Sequence, residues 1–293
     1  MKHRIRTAML CAAASALTAG IGLSSCSRGD EDNATLQQQA ADPAAPAAQD
    51  QAANSESTAN AKALLKSMSD YLAAQDTISM RYDSLFEVVS SDHQKLQIAT
   101  SGTVDLDRPG NIRTTRKSGF SDTEMVYDGK TLSFYGKGQN AYIQTEAPGT
   151  IDSLIDGLRD KFHRQLPGAD LLQSGVYEEL MTDVTDIKDL GSGVIGGVEC
   201  DHLAFRTKDT DWQIWIAQGP KPYPCRYVIT SKGVDQAPQF TLEVRDWKAG
   251  AGAGGGNFTF TPPPGAKKLR IEDLQQLKDT ADLPENYRTG ASQ

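Results

Sequence analysis

The chain has 293 residues, is 38% hydrophobic and carries a formal net charge of −8. That length suits one sizeable domain with extensions, and the apolar deficit is concentrated at the two ends. The acidity excludes nucleic acid as a partner, because such affinity depends on clustered Lys and Arg, and it excludes adhesion to anionic lipid by charge.

The N-terminus reads as an export signal over residues 1–25. Lys2, Arg4 and Arg6 form a positive head, Ala8 to Leu23 an apolar body, and Leu23-Ser24-Ser25-Cys26 the close. Those last four residues resemble a bacterial lipobox, in which the cysteine thiol receives diacylglycerol and becomes the lipidated N-terminus. Palmitate at Cys26 would then hold the protein on a membrane. The apolar run is shorter than the roughly 18 residues of a spanning helix. Cleavage removes three basic residues and no acid, leaving −11.

Residues 26–60 are Ala, Gln, Asp, Asn and Ser without apolar periodicity, which predicts a disordered tether. A helix is expected from Ala61 to Asp76, since Leu64, Leu65, Met68, Tyr71 and Leu72 form one stripe. Strands follow. Ile78, Met80, Tyr82, Phe86 and Val88 alternate with polar neighbours, and Leu96, Ile98, Val104 and Leu106 do so again. Arg108-Pro109-Gly110 marks a turn. Asp128-Gly129, between Met125–Tyr127 and Thr131–Tyr135, is a hairpin signal.

The period then changes. Ile151, Leu154, Ile155, Leu158 and Phe162 predict a second amphipathic helix with Thr150 as its N-cap, and a shorter helix is expected from Ala169 to Met181. Strands return near Val198–Thr207, Trp212–Ala217, Arg226–Ser231 and Phe240–Trp247. Phe258-Thr259-Phe260 is expected as a last strand before three prolines, and residues 266–293 as a charged tail with a turn or two of helix around Leu274 and Leu277. Half-wet, half-dry strands imply an antiparallel sheet whose dry face must be covered. With only two or three helices available, the expected class is mainly β with α (α+β), a curved antiparallel sheet forming an incomplete β-barrel over residues 61–265.

Catalytic and metal chemistry finds little footing. His93, His163 and His202 have no metal-ligand spacing, and no Gly-x-Ser-x-Gly or HExxH motif occurs. Asp201-His202 beside Cys200 would suit a nucleophile, but a disulfide or a strand histidine hydrogen-bonded to a neighbour is the expected reading. Trp212 and Trp215 fall on opposite sheet faces. Cys200 and Cys225 are a pair that an oxidising compartment would join, although next-but-one strands stand about 10 Å apart. No cofactor, no metal and no enzymatic activity are expected.

Three segments carry a resemblance. Ser101-Gly102-Thr103-Val104 with Arg108-Pro109, the hairpin from Val126 to Tyr135, and Asn257 to Gly265 together resemble the LolA/LolB-like (LppX-like) class of bacterial lipoprotein and lipid carriers. Gly196 to Leu203 and Trp212 to Ile216 look typical of a branch of predicted periplasmic proteins. The resemblance implies an incomplete β-barrel lidded by helices, with acyl chains in its hollow. It implies a lid or transfer role for Arg108 and membrane or cargo contact for Phe120. Candidates to line the hollow are Leu64, Met68, Tyr71, Met80, Phe86, Ile98, Val104, Ile155 and Leu158.

The expected function is non-enzymatic binding, as carrier or acceptor, of acyl lipid or lipoprotein acyl chains by a monomer. It would sit on the periplasmic side of the envelope, anchored to the outer membrane. A different class, an envelope-stress sensor or protein-interaction module on the same fold, is the alternative.

Overall fold

A computed structural model describes residues 45–90, 92–162, 166–253 and 255–276. Cys26, the signal segment, His163 and Leu277 lie outside them. Helix α1 (Ala45–Ala73) opens the described chain. The expected tether up to residue 60 is corrected, because residues 45–60 are helical. Alanines at 45, 47, 48, 52, 53 and 59 explain this, since alanine has the best intrinsic helix propensity and needs no apolar stripe to signal it. Pro46 sits in the first turn, where its missing N–H costs nothing. The extension is held at its side: the Ser57 hydroxyl accepts from the Asp189 N–H at 3.2 Å. From Ala61 onward, Ala61, Leu65, Met68 and Leu72 form the buried stripe.

Six strands follow in a meander: β1 (Thr77–Val89), β2 (Lys95–Asp107), β3 (Asn111–Lys117), β4 (Asp122–Asp128), β5 (Thr131–Gly136) and β6 (Ala141–Glu146). The β4–β5 turn is built as expected. Gly129 adopts φ +82°, and the Asp128 carboxylate accepts from the N–H groups of Lys130 and Thr131 at 3.0 and 2.7 Å. Helix α2 (Ile151–Phe162) comes next, and Thr150 does cap it: its hydroxyl accepts from the Ser153 N–H at 3.2 Å. The single helix expected over 169–181 is two pieces, a 3-10 turn (Ala169–Leu172) and α3 (Val176–Leu180), separated at Gly175.

A second meander follows: β7 (Asp186–Ile195), β8 (Val198–Arg206), β9 (Thr210–Ala217), β10 (Pro224–Ser231) and β11 (Gln239–Ala249). Strand β11 returns beside β1, with Tyr82 opposite Val244. With a short last strand, β12 (Lys267–Leu269), all strands join one 12-stranded sheet, ordered β12-β6-β5-β4-β3-β2-β1-β11-β10-β9-β8-β7. Its ends do not meet, so the barrel is incomplete. The architecture is the expected one: mainly β, curved and open, covered by helices.

Phe258-Thr259-Phe260 is not a strand, which corrects another expectation. The segment crosses strands instead of running beside one. Asn257 gives its carbonyl to Arg113 on β3 at 2.7 Å, and the Phe260 ring packs 6.1 Å from Tyr135 and 5.5 Å from Tyr142, centroid to centroid. The true last strand is β12 (Lys267–Leu269), parallel to β6.

Two cores share the inner face. Helices α1 and α3 cover β7–β10 through Leu65, Met68, Leu203, Phe205, Trp212 and Ile214. Helix α2 and the 3-10 turn cover β1–β6 through Met80, Val104, Ile112, Ile151, Leu154 and Leu158.

Candidate functional site

Strand register builds the site. Met80, Val104, Thr114, Met125, Phe134 and Ile143 stand opposite one another across β1 to β6. Two residues along, Ile112 and Leu132 continue the floor toward the N-terminus of α2. Two residues the other way lie Tyr82, Gly102, Arg116 and Thr123. Side chains two apart share a face, so all these rows look inward. Ile151, Leu154, Ile155 and Leu158 of α2, with Leu166 and Leu172, form the roof.

Floor and roof belong to one apolar cluster but do not fill the space between them. Between them lies a cavity of about 480 Å³, within the range of roughly 300–1,000 Å³ usual for small-molecule sites. Its walls are mostly aliphatic and aromatic. Gly102 helps to shape one end: a Cβ there would stand 2.0 Å from the Thr115 carbonyl oxygen and 2.6 Å from the Tyr82 ring. That space lets Tyr82 lie across β2 and donate its hydroxyl to the Thr115 carbonyl at 3.1 Å. Burial raises the Tyr82 pKa, and the positive charge of Arg116 opposes the shift.

Of the residues expected to line a hollow, Met80, Phe86, Val104, Ile155 and Leu158 do line this one. Met68 is fully buried in the other core, and Leu64 and Tyr71 pack there too. Tyr71 accepts from the Trp247 indole N–H at 3.3 Å. Ile98 is half-buried opposite Phe86, outside the lining. The correction has one cause: α1 plugs its half of the sheet solidly, while α2 leaves a gap beneath it. Helical periodicity reports a buried stripe but not whether the stripe faces a packed or an open floor. The sequence reading missed Arg116, Thr123, Leu154 and Leu242, all of which line the cavity. Alternation from Ile112 through Thr114 would have aimed Arg116 inward.

Arg108 is the clasp of the roof. Its guanidinium donates to the Leu172 carbonyl at 2.9 Å and the Gln173 carbonyl at 3.4 Å, and stands 4.0 Å from the Asp152 carboxylate on α2. The side chain is only 13% exposed. Burial lowers its pKa, and Asp152 acts against that. Its Nε and the Gln173 Oε1 are buried without partners. The roof segments are also tied together, since Asp152 accepts from the Ser174 N–H at 3.1 Å and Gln173 donates to Asp156 at 3.1 Å. Phe120 is half-buried in the β3–β4 loop, its N–H donating to the Ser118 hydroxyl at 3.3 Å; it is not a lining residue.

Cys200 and Cys225 are both free and buried, so the expected disulfide is not formed in the structure, although the two thiols lie within hydrogen-bonding reach of each other. Strand β9 lies between their strands and Ala217 packs with them. Burial raises both thiol pKa values above the usual 9. His202 stacks on Trp215 with centroids 4.0 Å apart and bonds Gln213 at 2.9 Å, on the face opposite the Trp212–Phe205 stack. Among the described residues no group of three or more His, Cys, Asp or Glu could hold a metal.

The family model described as "Predicted periplasmic protein (DUF2092)" matches residues 61–272. Among solved structures, the chain is similar to LprF from Mycobacterium bovis, at 16% identity and TM-score 0.43, covering 71% of this chain and 98% of that one. It is similar to lipoprotein LppX from Mycobacterium tuberculosis, at 12% identity and TM-score 0.35, covering 69% and 99%. A LolA superfamily protein from Nitrosomonas europaea matches at 11% identity and TM-score 0.27, covering 64% and 92%. No curated protein matches the chain.

Proposed function

The chain belongs to the DUF2092 family of predicted periplasmic proteins, and from that premise we propose that it is a non-enzymatic carrier or acceptor of acyl lipid or lipoprotein acyl chains in the bacterial envelope. The observation that carries this reading is the apolar cavity of about 480 Å³ between the curved sheet and α2. An unfilled apolar hollow is a cost to the fold unless a ligand uses it. An acyl chain of about 14 methylenes gains on the order of 11 kcal/mol on burial, less the cost of ordering it. A site without catalytic groups can therefore bind lipid firmly, and release then requires the roof to lift.

The roof is suited to that task. Besides the apolar contacts of α2 with the floor, it is held to the sheet by Arg108 and its carbonyl partners. In this reading the mature chain is lipidated at Cys26, acts as a monomer and works at the outer membrane. Its residues before α1 serve as the tether. The test is gentle purification of the full chain followed by native mass spectrometry and lipid extraction. The reading expects one acyl lipid per chain. A chain that arrives empty and takes up no lipid from vesicles would refute it.

A further inference from the structure

Packed residues close the cavity at both ends of its floor. At the β11 end the wall is Tyr82 and Leu242. Both line the cavity, and both also pack into the core under α1. The roof comes down on this wall: a Cβ on Gly168 would stand 3.0 Å from Leu242 Cδ2 and 3.8 Å from Phe240 Cε1. Trp247 touches the two cores as well. Its indole N–H donates to the Tyr71 hydroxyl at 3.3 Å, and its ring stacks on Tyr223 with centroids 5.3 Å apart. Beyond the wall, Leu65, Met68 and Leu72 of α1 have no exposed surface, so the cavity has no room to spread that way.

At the β6 end the stopper comes from the C-terminal part of the chain. Strand β12 pairs with β6 from Lys267 opposite Ala141 to Leu269 opposite Ile143. The 3-10 turn that follows (Ile271–Gln276) brings Ile271 against Ile143, and both of these side chains line the cavity.

The enclosed volume sets how much chain can enter. A methylene is close in size to a water, whose share of liquid volume is about 30 Å³. At that size a cavity of about 480 Å³ takes about sixteen methylenes, which is one acyl chain of palmitoyl length. A second chain would need the same volume again. Extra methylenes forced into a packed interior displace side chains and backbone, and a chain left outside keeps its apolar surface in water.

Resting on the acyl reading above, we infer that the cavity takes a single acyl chain. Its ligands are then one-chain amphiphiles, such as a fatty acid or a lysophospholipid, of about sixteen carbons. The ligand class is thereby narrowed from acyl lipid in general, and a lipoprotein carrying diacylglycerol, with two chains or more, falls outside it.

The test uses the delipidated full chain and saturated fatty acids of about 10 to 22 carbons, with dissociation constants from calorimetry and stoichiometry from native mass spectrometry. Each added methylene should tighten binding about two- to fourfold, up to a break near sixteen carbons, beyond which affinity stays level or falls. Palmitate should saturate at one per chain, and dipalmitoyl phosphatidylcholine offered in vesicles should not displace it. Ile271→Ala, which shortens the stopper, should move the break up by about two or three carbons. Two palmitates per chain, displacement by the two-chain lipid, or affinity that still climbs past about twenty carbons would each overturn the single-chain capacity and leave the acyl reading standing. A break that stays in place in folded Ile271→Ala overturns the end wall on which that capacity rests. Binding of none of the fatty acids overturns the acyl reading itself.

Discussion

Arg108 shows how one side chain can join two parts of a fold. It leaves the β2–β3 turn, crosses to the roof and meets two carbonyls there. Hydrogen bonds to a charged group contribute about 1.5–3 kcal/mol. Arg108→Ala should therefore cost about that much in chemical denaturation and should speed lipid release in a stopped-flow transfer assay; an unchanged release rate would deny the residue its clasp role. Cys200 and Cys225 behave in the opposite way. With both thiols buried and their pKa values raised, alkylation near pH 8 should run at least roughly tenfold slower in the native chain than in the denatured one. Fast native labelling would contradict their placement. A lid role for Arg108 is an expectation from the resemblance in sequence, and its two carbonyl partners came only with the structure, because they lie more than 60 residues away along the chain.

At the scale of elements, local chemistry was the legible part. Thr150 and the α2 stripe, and the Asp128-Gly129 turn, are decided by residues a few positions apart, and both formed as expected. The misses are elements whose pattern is set elsewhere. Strand β7 includes Gly191, Ser192 and Gly193 and exposes Leu190 and Val194, so it shows no alternation; it is a strand because β8 pairs with it. Strand β12 is three residues long and exists through β6. The β8–β9 hairpin, by contrast, is locked by its own charges. Asp211 takes two hydrogen bonds of 2.8 Å from Arg206 and meets Lys232 at 3.0 Å. The Arg206 hydrogen bonds are the main reason its carboxyl is lowered from 3.8 to about 2. A folded-state pKa below the unfolded one gives stability that is present above about 3.8 and is lost as pH falls toward 2. The denaturation midpoint should fall over that window, and Asp211→Asn should remove part of the fall. An identical pH profile for the variant would mean that the pair contributes nothing.

At the scale of the whole molecule, one sheet is covered in two different ways. Under α1 the interior is solid, so Leu65→Ala should cost about 2–5 kcal/mol, as truncations in packed cores do. Under α2 the interior is open, and side chains there have room to grow. The sequence could announce both helices but not this difference, which depends on the distance between each helix and its floor. The proposed lipid anchor at Cys26 belongs to the same scale. Cys26→Ala should abolish incorporation of labelled palmitate, and undiminished labelling would place the lipid elsewhere.

The account as a whole depends on the space beneath α2 being there for a ligand. Replacing Leu158 by Trp would fill that space from the roof, and the most direct measurement is the palmitate and phospholipid content of purified Leu158→Trp beside that of the unmodified chain, with thermal unfolding recorded for both. The expected result is a folded variant, of equal or higher melting temperature, that carries no lipid while the unmodified chain carries one acyl ligand. A folded variant that retains its full complement of lipid would contradict the account.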